Sequence, residues 1–189
     1  MTSIDEAPRA GDGKFTFKNQ AESPVALSAA AADSQAALAT RDKIRAARDD
    51  AEEAGDPRER IAALDQAAAA YSARCLSDAV LAQYPDAEHV KLVENEDGEN
   101  QYDIVELWDA DGKVLREVTE DDQDWIHEYD GDSNGSALQD FAYDLTLGDD
   151  SWGRDIALIT KDKWRGKVAV IDVVPAAAAA LPDGSGLQL

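Results

Sequence analysis

Residues 130–141, DGDSNGSALQDF, bring a carboxylate, a carboxylate and an amide to alternate positions at Asp130, Asp132 and Asn134, followed by Gly135. This is how a calcium loop of the EF-hand type begins to wrap a hard cation in oxygen ligands. Such a loop closes on a bidentate glutamate at its twelfth position, and here that position is Phe141. The nearest acid, Asp140, comes one residue early, and on a helix it points about 100° away from Phe141. The same letters, Asp and Asn and Gly followed by Ser, also make a tight turn into a capped helix. The turn is the reading adopted, and a divalent-cation site for calcium at Asp130, Asp132 and Asn134 is the alternative.

Just upstream, Asp121, Asp122, Asp124, His127 and Glu128 crowd oxygen and imidazole ligands together. Their spacing matches no metalloenzyme motif, and HEYDG lacks the second histidine of a zincin. His89 and His127 are the only imidazoles, and neither sits in a triad pattern. The chain has no GxGxxG, no P-loop and no GxSxG. Carboxylates alone can do acid–base work, but nothing singles out a pair, so the expectation is a non-enzymatic protein with no cofactor. The single cysteine, Cys75, excludes an internal disulfide and a cysteine-built zinc site. It falls inside an alanine-rich helical pattern and reads as a small buried hydrophobe.

Charge is distributed unevenly. Residues 1–85 carry 14 acids against 10 bases, residues 86–155 carry 23 against 4, and residues 156–189 carry 3 against 4, for a net charge of −22. A field of this sign repels nucleic acid and anionic membranes and attracts basic protein surfaces. The basic run KDKWRGK, with Lys161, Lys163, Arg165 and Lys167 around Trp164, is read as internal neutralisation of that field. No secretory signal is visible, and the longest apolar run, residues 168–181, is too short to span a bilayer and contains Asp172 and Pro175. The expectation is a soluble, cytoplasmic protein with no membrane or direct nucleic-acid contact.

The elements that hold these residues follow from periodicity. Residues 1–26 read as a flexible tail, apart from KFTFK at 14–18, whose alternation suits a short strand. Residues 27–84 read as a helical hairpin. Its first helix, with Ser28 as N-cap and Gly55 as stop, is rich in alanine and has only Leu38 and Ile44 as large apolar residues. Its second helix opens at DPRER, where Asp56 can cap, Pro57 suits the first turn and Glu59 completes a capping box. Ile61, Leu64, Ala68, Tyr71 and Cys75 then share one face.

Residues 86–174 form the acidic, β-rich part. HVKLVE, QYDIVELW and KVLREV read as an antiparallel meander, with Tyr102, Ile104 and Trp108 on one face of the middle strand and Val105 and Leu107 on the other. Ser136 and Gln139 mark a short capped helix with Leu138, Phe141, Ala142 and Leu145 as its stripe. DIALIT and KVAVIDVV close the domain as a strand pair, and residues 175–189 read as a flexible tail.

The fold class is therefore α+β, in one domain of residues 27–174. The expected role is an acidic interaction protein that binds a basic surface of a partner, as an inhibitor or nucleic-acid mimic, through Asp121, Asp122, Asp124 and Glu128. Two alternatives are the calcium-binding domain and a domain whose acidity is compositional adaptation only.

Overall fold

The computed structural model describes residues 24–95, 101–118, 137–147, 149–162, 166–183, 187 and 189. The chain divides into two compact units, Met1–Asp33 and Ser34–Leu189. Of the first, the described part is the opening of helix α1. The strand expected at 14–18, the cation loop at Asp130, Asp132 and Asn134, and the acidic residues Asp121, Asp122, Asp124 and Glu128 all lie outside the described residues.

Helix α1 runs Pro24–Ala54, starting earlier than a Ser28 cap requires. It ends at Gly55, whose φ of +72° is the left-handed turn that glycine adopts without steric cost. Helix α2, Arg58–Gln83, starts one residue later than the DPRER pattern predicts. Pro57 occupies the N-cap with extended backbone, and Arg60 and Ile61 donate their N–H groups to its carbonyl. The Asp56 carboxylate makes no cap and instead pairs with the Arg60 guanidinium, so a local ion pair replaces the expected cap. Leu64, Ala68, Tyr71 and Cys75 are all buried, as their spacing requires.

The strands are β1 (His89–Glu94), β2 (Tyr102–Trp108), β3 (Val114–Glu117), β4 (Ala157–Asp162) and β5 (Gly166–Asp172). They form one antiparallel sheet in the order β3-β2-β1-β5-β4. The meander and the closing pair are thus joined edge to edge, and β1 is the centre of the sheet. Helix α3, Ala137–Asp144, lies between β3 and β4 in sequence and seats Leu138, Phe141, Ala142 and Leu145 in the core. Gln139 Nε2 donates to the Tyr102 carbonyl at 2.7 Å and to Asp103 Oδ1 at 3.1 Å, fastening α3 to β2, while Ser136, the other half of the expected capping box, lies outside the described residues.

A bulge corrects the facing of β2. Lys91 pairs with Glu106 and Leu92 with Ile104, which leaves Val105 as an extra residue. One inserted residue flips everything beyond it to the opposite face. Tyr102, Ile104 and Leu107 are therefore buried together, while Trp108 joins Glu106 on the outer face. Simple alternation had put Trp108 with Ile104 and Leu107 opposite them.

The C-terminal segment expected to fray takes part in the fold. Val173–Ala178 forms helix α4, with Val173 and Ala176 fully buried. Tyr71 donates its hydroxyl to the Pro182 carbonyl at 3.2 Å, and Leu181 and Leu187 pack against the core. Five alanines in a row bury little area each, but they let α4 approach α2 closely, which a bulkier sequence would prevent.

Candidate interaction surface

Helix α1 shows a repeat of seven whose two seams differ in chemistry. Ala37, Ile44 and Ala51 are buried, and three residues before each of them stands a polar residue, Ser34, Arg41 and Arg48. Every polar member bonds to α2. Ser34 Oγ donates to Asp78 Oδ2 at 2.9 Å, Arg41 Nε to Ser72 Oγ at 3.1 Å, and Arg48 Nε to Asp65 Oδ1 at 3.0 Å. The descending partner numbers make the two helices antiparallel. A polar seam fixes register at a cost in stability, and here it adds to the anchoring that Leu38 and Ile44 give α1.

The middle rung holds the two buried charged side chains among the described residues, Arg41 and Asp144. Asp144, at the end of α3, is 2% exposed and accepts from Arg41 Nε at 2.8 Å and from Ser72 Oγ at 2.6 Å. Arg41 Nη2 lies 2.6 Å from the same oxygen, and Arg45 Nε is 3.5 Å from Oδ1. Phe141 offers its ring face to the Arg41 guanidinium at 4.8 Å. Three helices are locked at one point by this cluster. The cation is enclosed by a carboxylate, a hydroxyl and an aromatic ring, with Nη2 paired to Asp144 by charge and not by a hydrogen bond. Cys75, one helical turn beyond Ser72, is buried, and desolvation pushes its thiol up to about 12. The thiolate needed for nucleophilic chemistry is thereby suppressed.

On the outer face of the sheet a second group is assembled from neighbouring strands. Glu106 accepts from Lys91 Nζ at 3.0 Å through one oxygen and from Trp108 Nε1 at 2.9 Å through the other, while Lys91 Nζ sits 5.5 Å from the Trp108 ring centre. His89 Nδ1 lies 2.9 Å from Asp172 Oδ1 across the β1–β5 pairing. Val93, Val168 and Val170 are half-buried here, and Leu158 on edge strand β4 is 67% exposed. None of Val93, Trp108, Leu158, Val168 and Val170 belongs to the core or to the residues packed against it.

The surplus charge is displayed rather than neutralised. The arginines Arg41, Arg45, Arg48, Arg60 and Arg74 are each paired with an acid of the helices. In the sheet half Lys91 takes Glu106 and Lys167 takes Asp150, at 3.0 and 2.9 Å. No described cation lies within ion-pair distance of Asp86, Asp111, Glu117, Asp140 or Asp155, and all but Asp140 are exposed. Of the basic run, Lys167 pairs with Asp150, Lys161 makes no ion pair with a described acid, and Lys163, Trp164 and Arg165 lie outside the described residues.

Among the described residues no group of three histidine, cysteine or acidic side chains could hold a metal ion, and no helix is long and apolar enough to cross a membrane. A cavity of about 370 Å³ lies between α2, the 3₁₀ turn Asp150–Gly153 and α4, lined by Ala70, Trp152, Ile156, Pro175 and Leu181, with Arg154 and Asp155 at its charged side. The Lys91–Glu106–Trp108 group and the Arg41–Ser72–Asp144 cluster were both missed in the sequence. The first depends on the bulge, and the second joins residues separated by 31, 72 and 103 positions. The seven-residue spacing of Ser34, Arg41 and Arg48 was the one signal that pointed to the second. No protein-family model, curated protein or solved structure matches the chain.

Proposed function

We propose that this protein is a non-enzymatic acidic interaction protein that occupies a basic surface of a partner protein, as an inhibitor or as a mimic of the nucleic acid that surface otherwise holds. The observation that carries the reading is the surplus of acids in residues 86–155, 23 against 4 bases. Of these, Asp86, Asp111, Glu117 and Asp155 stand exposed with no described cation in ion-pair reach. Carboxylates fixed on a folded scaffold present charge at defined spacing. Docking them in a basic groove releases the counterions of that groove, which is how phosphates are bound.

Asp121, Asp122, Asp124 and Glu128 would add to this array. Changing all four to Asn or Gln slows association with the partner and flattens its salt dependence, since charges of this kind steer encounter over about one Debye length, roughly 8 Å at physiological salt. The test is a pull-down from the native host at physiological ionic strength, followed by competition with duplex DNA and with a scrambled polyacidic peptide of equal charge. A basic protein that is captured, then released by DNA and poorly by the peptide, supports the reading. Loss of every partner in modest salt, or equal competition by the peptide, overturns it and leaves compositional adaptation as the explanation of the charge.

A further inference from the structure

We infer that the partner docks on the outer face of the sheet, with apolar or aromatic anchors seated on Trp108 and on the Leu158–Val170–Val168 patch and a ring of arginine or lysine around them. This rests on the proposed acidic interaction role and names its surface. The bulge at Val105 turns Trp108 outward, and the register gathers Leu158, Val170, Val168 and Val93 into an apolar patch across β4, β5 and β1, with Lys91 and the His89–Asp172 pair between that patch and Trp108. Lys91 stands between Glu106 and Val170, Val93 pairs with Val168, and Leu158 pairs with Val170. All of these apolar side chains are left out of the core. A half-buried tryptophan held by a hydrogen bond to Glu106 and by a cation on its ring is already ordered, so a partner meets it without ordering it. Tryptophans in such settings are the residues that dominate binding at interfaces.

The rim decides the chemistry of the partner. Asp103 and Glu117 flank the centre on β2 and β3, Glu106 and Asp172 lie within it, and Asp111 follows at the β2–β3 turn. Lys91 is the one cation that the register sets among them on this face, and it is already paired with Glu106. Size points the same way. Five strands about 4.8 Å apart, paired over some six residues rising about 3.3 Å each, give a face of roughly 400–500 Å². A stable complex of ordinary size covers roughly 800 Å² on each partner. The sheet face, its charged residues included, falls short, so the partner has to reach past it onto flanking acids such as Asp111, which a basic surround engages. A second copy of the chain, carrying the same −22, would set acid against acid.

Two synthetic fourteen-residue peptides of equal charge test this, one alternating Arg with Leu and the other alternating Arg with Ser, each titrated into the full chain at about 0.15 M salt. The wild-type protein is expected to prefer the Arg/Leu peptide at least tenfold. Leu158→Asp is expected to abolish that preference. It adds a negative charge, which on its own would strengthen binding of a basic peptide, so a loss can only come from the apolar contact. Leu158 is 67% exposed, so the variant folds. Trp108→Ala is expected to cost the Arg/Leu peptide at least tenfold as well.

Equal binding of both peptides to the wild-type protein, or a preference that survives both substitutions, overturns the surface assignment while the acidic interaction role stands. Failure of both peptides to bind overturns the role and the surface together. Hydroxyl-radical footprinting of the free protein closes the remaining route. If Trp108 and Leu158 are as protected as the buried Trp152, another part of the chain already covers the face and the inference falls.

Discussion

Removing the Asp144 carboxylate should be among the most damaging single changes to this fold. In Asp144→Ala, Arg41 keeps its charge at 5% exposure with only the Ser72 hydroxyl and the solvent-facing Asp42 beside it. Leaving one member of a buried pair unpaired costs about 3–5 kcal/mol. With a urea m-value on the order of 2 kcal/mol/M, the unfolding midpoint falls by about 1.5–2.5 M. Arg41→Met should cost less, because Asp144 retains the Ser72 donor and Arg45 lies 3.5 Å away, ready to take over part of the pairing. The double variant, Arg41→Met with Asp144→Leu, removes both charges and should be more stable than Asp144→Ala. Ser72 can then turn back to the carbonyl one turn earlier, as Ser77 already does to Ala73 at 2.8 Å. The assay is urea unfolding followed by circular dichroism, read as a double-mutant cycle. If Asp144→Ala costs less than about 1 kcal/mol, or if the two substitutions are additive, the cluster is solvated and does not lock the three helices.

Three further outcomes can be checked directly. Gly166→Ala places a side chain at φ +71° and presses its Cβ against the Glu94 carboxylate, which accepts from the Lys167 N–H at 2.6 Å. The left-handed penalty of about 1–2 kcal/mol and the lost hydrogen bond of about 1 kcal/mol sum to about 2–3 kcal/mol in the same unfolding assay, and a cost below about 1 kcal/mol refutes the strain argument. Cys75 should react with a disulfide reagent at pH 8 only on the timescale of unfolding, since burial pushes its thiol up to about 12; rapid labelling of the native protein would contradict its burial. Asp65 should titrate above the ordinary carboxylate range by NMR, because desolvation raises it more than Arg48 lowers it, and Arg48→Met should raise it further. Its folded pKa lies above the unfolded value, so its contribution favours folding at acid pH and is lost as pH rises through the folded pKa. A midpoint that falls on removing Arg48 would refute the pairing.

What the sequence determined by itself is the order of the elements and all of the described helices and strands except α4. Helix periodicity placed Leu64, Ala68, Tyr71 and Cys75 on one buried face, and Gly55 ended α1 where its φ requires glycine. Strand alternation found all five strands, and the concentration of acids in residues 86–155 was legible without any structure. These are local properties, written in periods of two and 3.6 residues and in composition.

What only the tertiary structure decided depends on contacts between distant residues. The bulge at Val105 carries no residue type that announces it, since it is set by pairing with β1, and it reverses the facing of Leu107 and Trp108. The bond from the Gln139 amide to the Tyr102 carbonyl, 37 residues away, has no signature in the spacing around Gln139. The alanines of α4 looked like a frayed tail because alanine buries little on its own account, and they order because α2 offers a surface against which small side chains can pack closely. Arg41 and Asp144 are indistinguishable in sequence from the many surface charges around them. Burial alone sets them apart, and burial is a property of the assembled fold, because a charge is desolvated only when several elements close over it at once.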